Sequence, residues 1–448
     1  MMNAHDFGRE SISRILLKLA PPVMIGQLIQ ALYNIVDSFF VGRYSDSGLT
    51  ALSIVYPVQL LMIALAVGTG VGINTVISAR MGVGDRKGAK EIAGMGTPLA
   101  LVLWAVFSLI VCGVLPAYAR LSSQSEVVVR DVIDYGRIVC IGSVSLFLES
   151  IWTKVMQARG DMKTPMLGQV VGAVTNIALD AVLIFGVGEW KGWGISGAAL
   201  ATVLGQTAAA AVMFRRGYAP SPALKKYRNG VRQIFRLGLP NMLMQSAYTL
   251  YVFGLNMILV TFSDQAVTAL GLYYKWQTFF FLPMGALETC IVPIISYNFA
   301  AGKIKRCHHT MRVCCLWAVP LMGLGTLCFA AFPEALLRVF SQDSEVIRIG
   351  VVGFRWIGAS FMPLITSLVF PVFFQAVGQA AKSSVLTLVR TVLLFVPLGY
   401  IFSRFGLDWF WLTFPVTEVL TTLAGLCFYV KFMKKHIAWE KPARLGGG

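Results

Sequence analysis

Residues 18–90 are read a second time, 218 positions later. Leu19, Pro22, Met24, Gln27, Leu32 and Tyr33 recur as Leu237, Pro240, Met242, Gln245, Leu250 and Tyr251. Thr50-Ala51-Leu52 recurs as Thr268-Ala269-Leu270, Ile77, Ser78 and Gly84 as Ile295, Ser296 and Gly302, and Gln157, Ala158 and Gly160 as Gln375, Ala376 and Gly378. One register held over so many stations implies a duplicated unit of about half the chain. In a chain this apolar, a duplication of that size points to a transporter, because two packed halves can rock about a site between them.

The chain is 56% hydrophobic and 13% charged, against about 25% charged in a soluble domain. Its apolar runs reach the roughly 20 residues that cross a bilayer as a helix. Twelve are expected, near 19–41, 54–79, 93–117, 132–158, 165–188, 194–214, 237–262, 268–299, 313–333, 346–375, 384–403 and 409–432. Backbone groups in lipid have to be satisfied within the segment, so such runs read as helices. The expected fold is therefore an all-α polytopic membrane protein.

The net charge of +17 does not call for nucleic acid. Counted over alternate loops, one set holds 28 of the 38 Lys and Arg, including Arg80, Arg86, Lys87, Lys90, the run from Arg215 to Arg236, Lys303, Lys305, Arg306, Lys382, Arg390, Lys441 and Arg444. The other set holds nine, and Lys275 falls within a span. The positive-inside rule then puts both termini and the central loop in the cytoplasm, with anionic lipid a further partner of the basic loops. Met1 to Glu10 is polar and the first apolar run is of full span length, so no cleavable signal peptide is expected. The eight cysteines fall mostly within spans, which argues against a disulfide framework.

Breakers and charges cluster at Arg215-Arg216-Gly217, Pro220-Ser221-Pro222, Lys225-Lys226 and Arg228-Asn229-Gly230, the composition of a linker. The expected organisation is an N-lobe over 1–214, a cytoplasmic linker over 215–236 and a C-lobe over 237–448, with a short amphipathic helix near Val231–Leu237. Each half crosses the membrane an even number of times, so the repeat is parallel, a pseudo-two-fold along the membrane normal. Pro21-Pro22 is expected to open the first helix, where proline costs little, and to act there as a pivot.

Acids within spans are costly and are site candidates by default. Asp37 falls late in the first span and Asp180 late in the fifth. Asn176 precedes Asp180 by one turn, which puts both on one helix face. Two carboxylates and a carboxamide can hold a bare Na⁺ through oxygen or share one proton; the plainer reading is that they hydrogen-bond neighbouring helices. Their repeat partners are Leu255 and Leu398, so this pair belongs to one half alone. The second half carries Lys275, Glu288 and Glu418, opposite Pro57, Gly70 and Leu200. Glu288 and then Glu418 are candidates for contact with an organic cation, joined by Tyr33 and Gln27 on the first span, while Lys275 reads as a snorkelling base. Phe279-Phe280-Phe281, Phe370, Phe373 and Phe374 either line an adaptable apolar cavity or simply pack.

Tyr33-Asn34-Ile35-Val36-Asp37-Ser38-Phe39-Phe40-Val41-Gly42 resembles the first helix of the multidrug and toxic compound extrusion (MATE) family. Met81-Gly82-Val83-Gly84-Asp85, Asn298-Phe299-Ala300-Ala301-Gly302-Lys303, Gln157-Ala158-Arg159-Gly160-Asp161 and Gly197-Ala198-Ala199-Leu200-Ala201-Thr202 extend the likeness along nearly the whole chain. The resemblance implies an inner-membrane antiporter that exports cationic or amphipathic compounds against an inward flow of H⁺ or Na⁺, and a monomer is expected because the two-lobe design needs only one chain. It also implies a cation site at Asp37, Asn176, Asp180 and Thr202, with the Ala198 carbonyl as a further ligand. The NorM branch keeps acids in the seventh and tenth helices, which this chain lacks, so the pattern fits the DinF-like branch better. A lipid-linked oligosaccharide flippase of the wider superfamily is the alternative within transport.

An enzyme is not expected: His5, His308, His309 and His436 all fall outside the apolar runs, and no GxxxxGK[ST] is present for ATP. Cys307-His308-His309 with Cys314-Cys315 matches no standard zinc spacing. No cofactor is expected beyond the coupling ion.

Overall fold

The computed structural model describes residues 4–439; Lys441 and Arg444, counted above for topology, lie outside the described residues. It is a protein of long helices. In chain order they are α1 (Ile12–Tyr44), α2 (Asp46–Gly82), α3 (Arg86–Ser122), α4 (Glu126–Gly142), α5 (Val144–Ala158), α6 (Lys163–Phe185) and α7 (Ile195–Gly217). There follow α8 (Tyr227–Leu259), α9 (Asp264–Ala300), α10 (Ile304–Ala331), the short α11 (Pro333–Arg338), α12 (Ser344–Ala359) and α13 (Phe361–Ala376). The last are α14 (Ala380–Leu388), a π-helical stretch Val389–Phe395, α15 (Val396–Ser403), the single turn α16 (Leu407–Phe410) and α17 (Thr413–Trp439). Among the described residues ten helices are long and apolar enough to cross a membrane as they stand, and the bent pairs α4 with α5 and α12 with α13 bring the number to the expected twelve if each pair is one span. The expected 165–188 span ends early, at Phe185, because Gly186 takes φ +86° and opens a two-stranded hairpin, β1 (Gly186–Val187) on β2 (Trp190–Lys191).

The 218-residue register recurs as geometry. Both α2 and α9 contain 37 residues. Each begins on a serine, Ser45 or Ser263, whose hydroxyl accepts from the backbone N–H three residues on, at Gly48 and Ala266. Each ends in a turn that needs glycine, Gly84 at φ +80° and Gly302 at φ +73°. The two bends, 44° and 53°, also correspond. At the first, Ser143 Oγ donates to the Cys140 carbonyl at 2.7 Å and Ser108 Oγ of α3 donates to the same oxygen at 2.6 Å. At the second, Ser360 Oγ donates to the Ile357 carbonyl at 2.6 Å and Thr326 Oγ1 of α10 to the Gly358 carbonyl at 3.0 Å. Hydroxyls take over carbonyls that a straight helix would bond itself, so the helix bends there without leaving them bare. The apolar runs gave no sign of these breaks.

Two compact units emerge, one built on Pro21–Met242, the other on Phe7–Ala20 together with Leu243 onward. The expected linker is shorter and the packing boundary lies later. Only Tyr218–Ala223 is without helix, Leu224–Lys226 is one 3₁₀ turn, and the amphipathic stretch near Val231–Leu237 is the start of α8. Ile234 there is buried in the first unit, its carbonyl against Gly72. Pro21 and Pro22 do not open α1; they stand inside it, after a nine-residue stretch from Ile12 to Ala20. That stretch holds as helix because Ile12, Ile15, Leu16 and Leu19, at i, i+3, i+4, i+7, are all buried in the second unit. Proline therefore sits where α1 passes from one unit to the other, and Pro240 sits two residues before the same passage in α8.

A 3₁₀ turn, Ala4–Gly8, precedes α1, and its last two residues, Phe7 and Gly8, are tied into the second unit. Phe7 is fully buried, edge-on to Tyr297 at 6.2 Å. Its carbonyl accepts from Asn298 Nδ2 at 2.9 Å and from Arg306 Nε at 2.9 Å, and the Gly8 carbonyl accepts from Lys303 Nζ at 2.9 Å. Phe7→Ala would empty this seat and is expected to cost about 3 kcal/mol, read as a lower unfolding midpoint in detergent.

Candidate functional site

In the first unit, α6 and α7 run antiparallel with glycine at the contact. A Cβ on Gly205 would lie 2.8 Å from the Gly172 carbonyl oxygen and 2.9 Å from the Asn176 Cβ, and Gly197 lies against the Leu183 carbonyl. Small residues let membrane helices approach to this distance. One end of the pair is fastened by Asp161, which accepts from the Thr164 backbone N–H at 3.0 Å, the Thr164 hydroxyl at 2.7 Å and Arg216 Nη1 at 3.0 Å. Partial burial works to raise the Asp161 carboxyl, but these bonds together hold it below the usual carboxylate range.

This register sets Asn176 and Asp180, successive turns of α6, opposite the Ala198–Gly205 stretch of α7. Asp180 is fully buried, Asn176 is 2% exposed, Thr202 8% and Ala198 0%. Asp37 on α1 is 9% exposed and within electrostatic reach of Asp180. Asp37 Oδ1, both Asp180 oxygens and both Asn176 amide atoms are shut off from solvent with no hydrogen-bond partner among the described residues. Five such buried polar atoms are a large cost if nothing binds them. The donor set, oxygens from two carboxylates, a carboxamide and a hydroxyl, suits a proton or a small hard cation rather than a soft metal.

Tyr33, one turn before Asp37, joins this group, within electrostatic reach of Asp37, Asp180 and Glu149. Gln27 is partly exposed further down α1 and makes no hydrogen bond to the group among the described residues. Sequence reasoning left Glu149 unassigned and missed Tyr135, which is buried, accepts from Gln59 Nε2 at 3.3 Å and faces the same two aspartates. An acid in the apolar 132–158 run was the available signal for the first; nothing marked the second.

The second unit is arranged differently. Glu418, 1% exposed, is not open to a substrate. It accepts from Arg390 Nη2 at 2.6 Å and Nε at 3.1 Å, and Ser367 donates a further hydrogen bond to it. Arg390, counted among the loop bases from sequence, is only 11% exposed and lies in the π-helical stretch. That stretch arises because Pro397 has no N–H for the carbonyl four residues back, and the wider turn absorbs the mismatch. Glu288 lies within reach of the Arg390 charge, with Oε1 buried and unpartnered. Lys275 is exposed, its Nζ 5.0 Å from the centroid of the Phe340 ring. Phe373 and Phe374 are fully buried and packed on Phe432, so they are core, while Phe370 edges a small cavity. His308 is bonded to Tyr429, and among the described residues no three of His, Cys, Asp and Glu converge on a metal position.

Comparison with known proteins gives one consistent result. The MatE family model matches residues 22–182 and again 240–401, two matches that begin 218 residues apart. An FAD transporter of Shewanella oneidensis is 24% identical over 438 residues, covering 96% of each chain. The multidrug export protein MepA of Staphylococcus aureus is 23% identical and covers 94% of each. A multidrug resistance MATE family transporter solved in an outward-facing conformation superposes with a TM-score of 0.90 at 22% identity, over 97% of this chain and 99% of that one.

The Arg390–Glu418 pair has a testable energetic consequence. Arg390→Met leaves Glu418 buried without a counter-charge and is expected to destabilise the protein by about 3–5 kcal/mol. Adding Glu418→Gln should recover most of that loss, measured as unfolding midpoints in detergent.

Proposed function

The chain belongs to the MatE family of membrane transporters, and from that premise we propose that it is a secondary active efflux transporter. It exports cationic or amphipathic compounds in exchange for H⁺ or Na⁺. The observation that carries this reading is the group of orphaned buried atoms on Asp37, Asn176 and Asp180. A cation bound among them would give the Asp37, Asp180 and Asn176 oxygens a partner that they lack without it. Loading is then coupled to any rearrangement that changes the pocket, since a ligand shifts an equilibrium only through its different affinity for the two states. Asp37 lies on α1 fifteen residues beyond Pro22, so a change in its bonding can be passed to the helix that joins the two units. Alternating access of two lobes is the cycle such coupling would drive. The excess of Lys and Arg on alternate loops supports a cytoplasmic membrane location with both termini inside.

One observation favours a second reading. Arg390 is a cation deep in the second unit, and the FAD transporter among the relatives carries a substrate with phosphates. An anionic aromatic substrate would have to displace Glu418 from Arg390, and the efflux assay separates the two readings.

In reconstituted vesicles, ethidium efflux under an imposed H⁺ or Na⁺ gradient should be fast for the wild type and fall to the leak rate in Asp37→Asn. If the variant keeps full gradient dependence, coupling lies elsewhere and Glu288 is next. If the wild type moves FAD but no cation, the second reading stands. Pro22→Ala, which restores the missing backbone bond in α1, is expected to slow transport severalfold; an unchanged rate would remove the pivot.

A further inference from the structure

Outside the sites described, the second unit has a cavity of about 150 Å³ where α10, α13 and α17 meet. It is lined by the buried Met311, Phe370 and Tyr429 and by the exposed His308, Arg312 and Leu426, among others. At about 30 Å³ per water-sized group, it has room for on the order of five methylenes. Phe370 is 6% exposed and Leu426 44%, so the cavity deepens from a helix surface into the core.

The depth of this cavity in a bilayer follows from helix length. With 28 residues at 1.5 Å each, α10 is about 42 Å long, about 12 Å more than the hydrocarbon layer. The surplus belongs at its first turns, because Lys305, Arg306, His308, His309 and Arg312 all precede Val313 and no charge follows to Ala331. His308 and Arg312, one turn apart on the same face, therefore stand at headgroup level, with Met311 and Cys315 just inside.

The charge at the cavity is of one sign. Lys431, Lys434 and Lys435 end α17 on the same side, and Lys382 sets its Nζ over Phe374 and Phe432 at 5.3 and 5.8 Å. No acid occurs in α10 or α13, and the one in α17, Glu418, is committed to Arg390. Among the described residues Arg312 has neither an ion-pair nor a hydrogen-bond partner. His308 Nδ1 is bonded to the Tyr429 hydroxyl at 2.7 Å with the rings nearly parallel, which leaves Nε2 for an outside group.

We propose that this cavity is a seat for an anionic phospholipid, one acyl chain entering between Met311, Phe370 and Leu426 and the phosphate meeting Arg312 and His308. A cationic amphiphile fits the apolar lining equally well but meets His308 and Arg312 there, with the lysines that end α17 on the same side and no free acid among the described residues of α10, α13 and α17, whereas an anionic headgroup is drawn to it. The leaflet is the cytoplasmic one in the orientation proposed above; the binding itself does not depend on that orientation.

The test is thermal unfolding of the delipidated protein in detergent with added dioleoyl-phosphatidylglycerol or dioleoyl-phosphatidylcholine, with native mass spectrometry to count retained lipid. Phosphatidylglycerol should raise the midpoint more than phosphatidylcholine in the wild type. Arg312→Gln should reduce that difference by half or more, and Leu426→Trp, which fills the groove, should abolish retention of either lipid. Lys225→Gln, an exposed base of the first unit, should keep the full preference. The proposal is overturned if Arg312→Gln and Leu426→Trp bind phosphatidylglycerol as the wild type does, or if ethidium protects the cavity and phosphatidylglycerol does not. None of these readouts involves transport, so they stand or fall apart from the efflux reading.

Discussion

A backbone carbonyl in lipid has to find its donor inside the protein, and every departure from straight helix in this structure is a place where that demand is met by other means. At Ser143 and Ser360 hydroxyls from the same helix and its neighbour take the released carbonyls. Before Pro397 a π-helical stretch widens the ladder. At Pro21 and Pro22 the helix continues because the residues before it are held by burial in the second unit. The breaks are therefore built positions, and two of them recur in the repeat register.

The same scarcity of donors governs the side chains. Both units are drawn from one ancestral plan, yet they have placed their acids differently. Where the first unit has Gly172, the second has Arg390; where the first has Leu200, the second has Glu418; where the first has Glu149, the second has Ser367. Gly172 lets α6 close on α7, and that closeness fixes Asn176 and Asp180 against Ala198–Gly205. Arg390 occupies the corresponding space with a guanidinium and neutralises Glu418 where it stands. The second unit thus carries an acid with its own counter-charge, and the first carries acids with oxygens that have no hydrogen-bond partner among the described residues.

Much of this was legible from the residues alone. Span number and the repeat follow from run lengths and register, because lipid permits few alternatives for twenty apolar residues. Asp37 and Asp180 stood out in the sequence because an acid in a span is rare. What was not legible shares one cause: it rests on partners distant in sequence. Glu418 looks like a free substrate contact until Arg390, 28 residues away, is seen beside it. Arg390 looks like a loop base until the π turn is known. Pro21-Pro22 looks like a helix start because Arg14 and Lys18 hide the amphipathic turn before it, whose apolar face is explained only by the second unit.

A duplicated scaffold explains why the asymmetry is tolerable. Each half repeats the same caps, glycine turns and bends, so the backbone solution is already stable in both, and side-chain changes in one do not have to re-solve it. A buried unpaired acid is costly in any helix bundle, and the halves differ in this: Glu418 has Arg390 beside it, while Asp37 and Asp180 keep oxygens without a hydrogen-bond partner among the described residues.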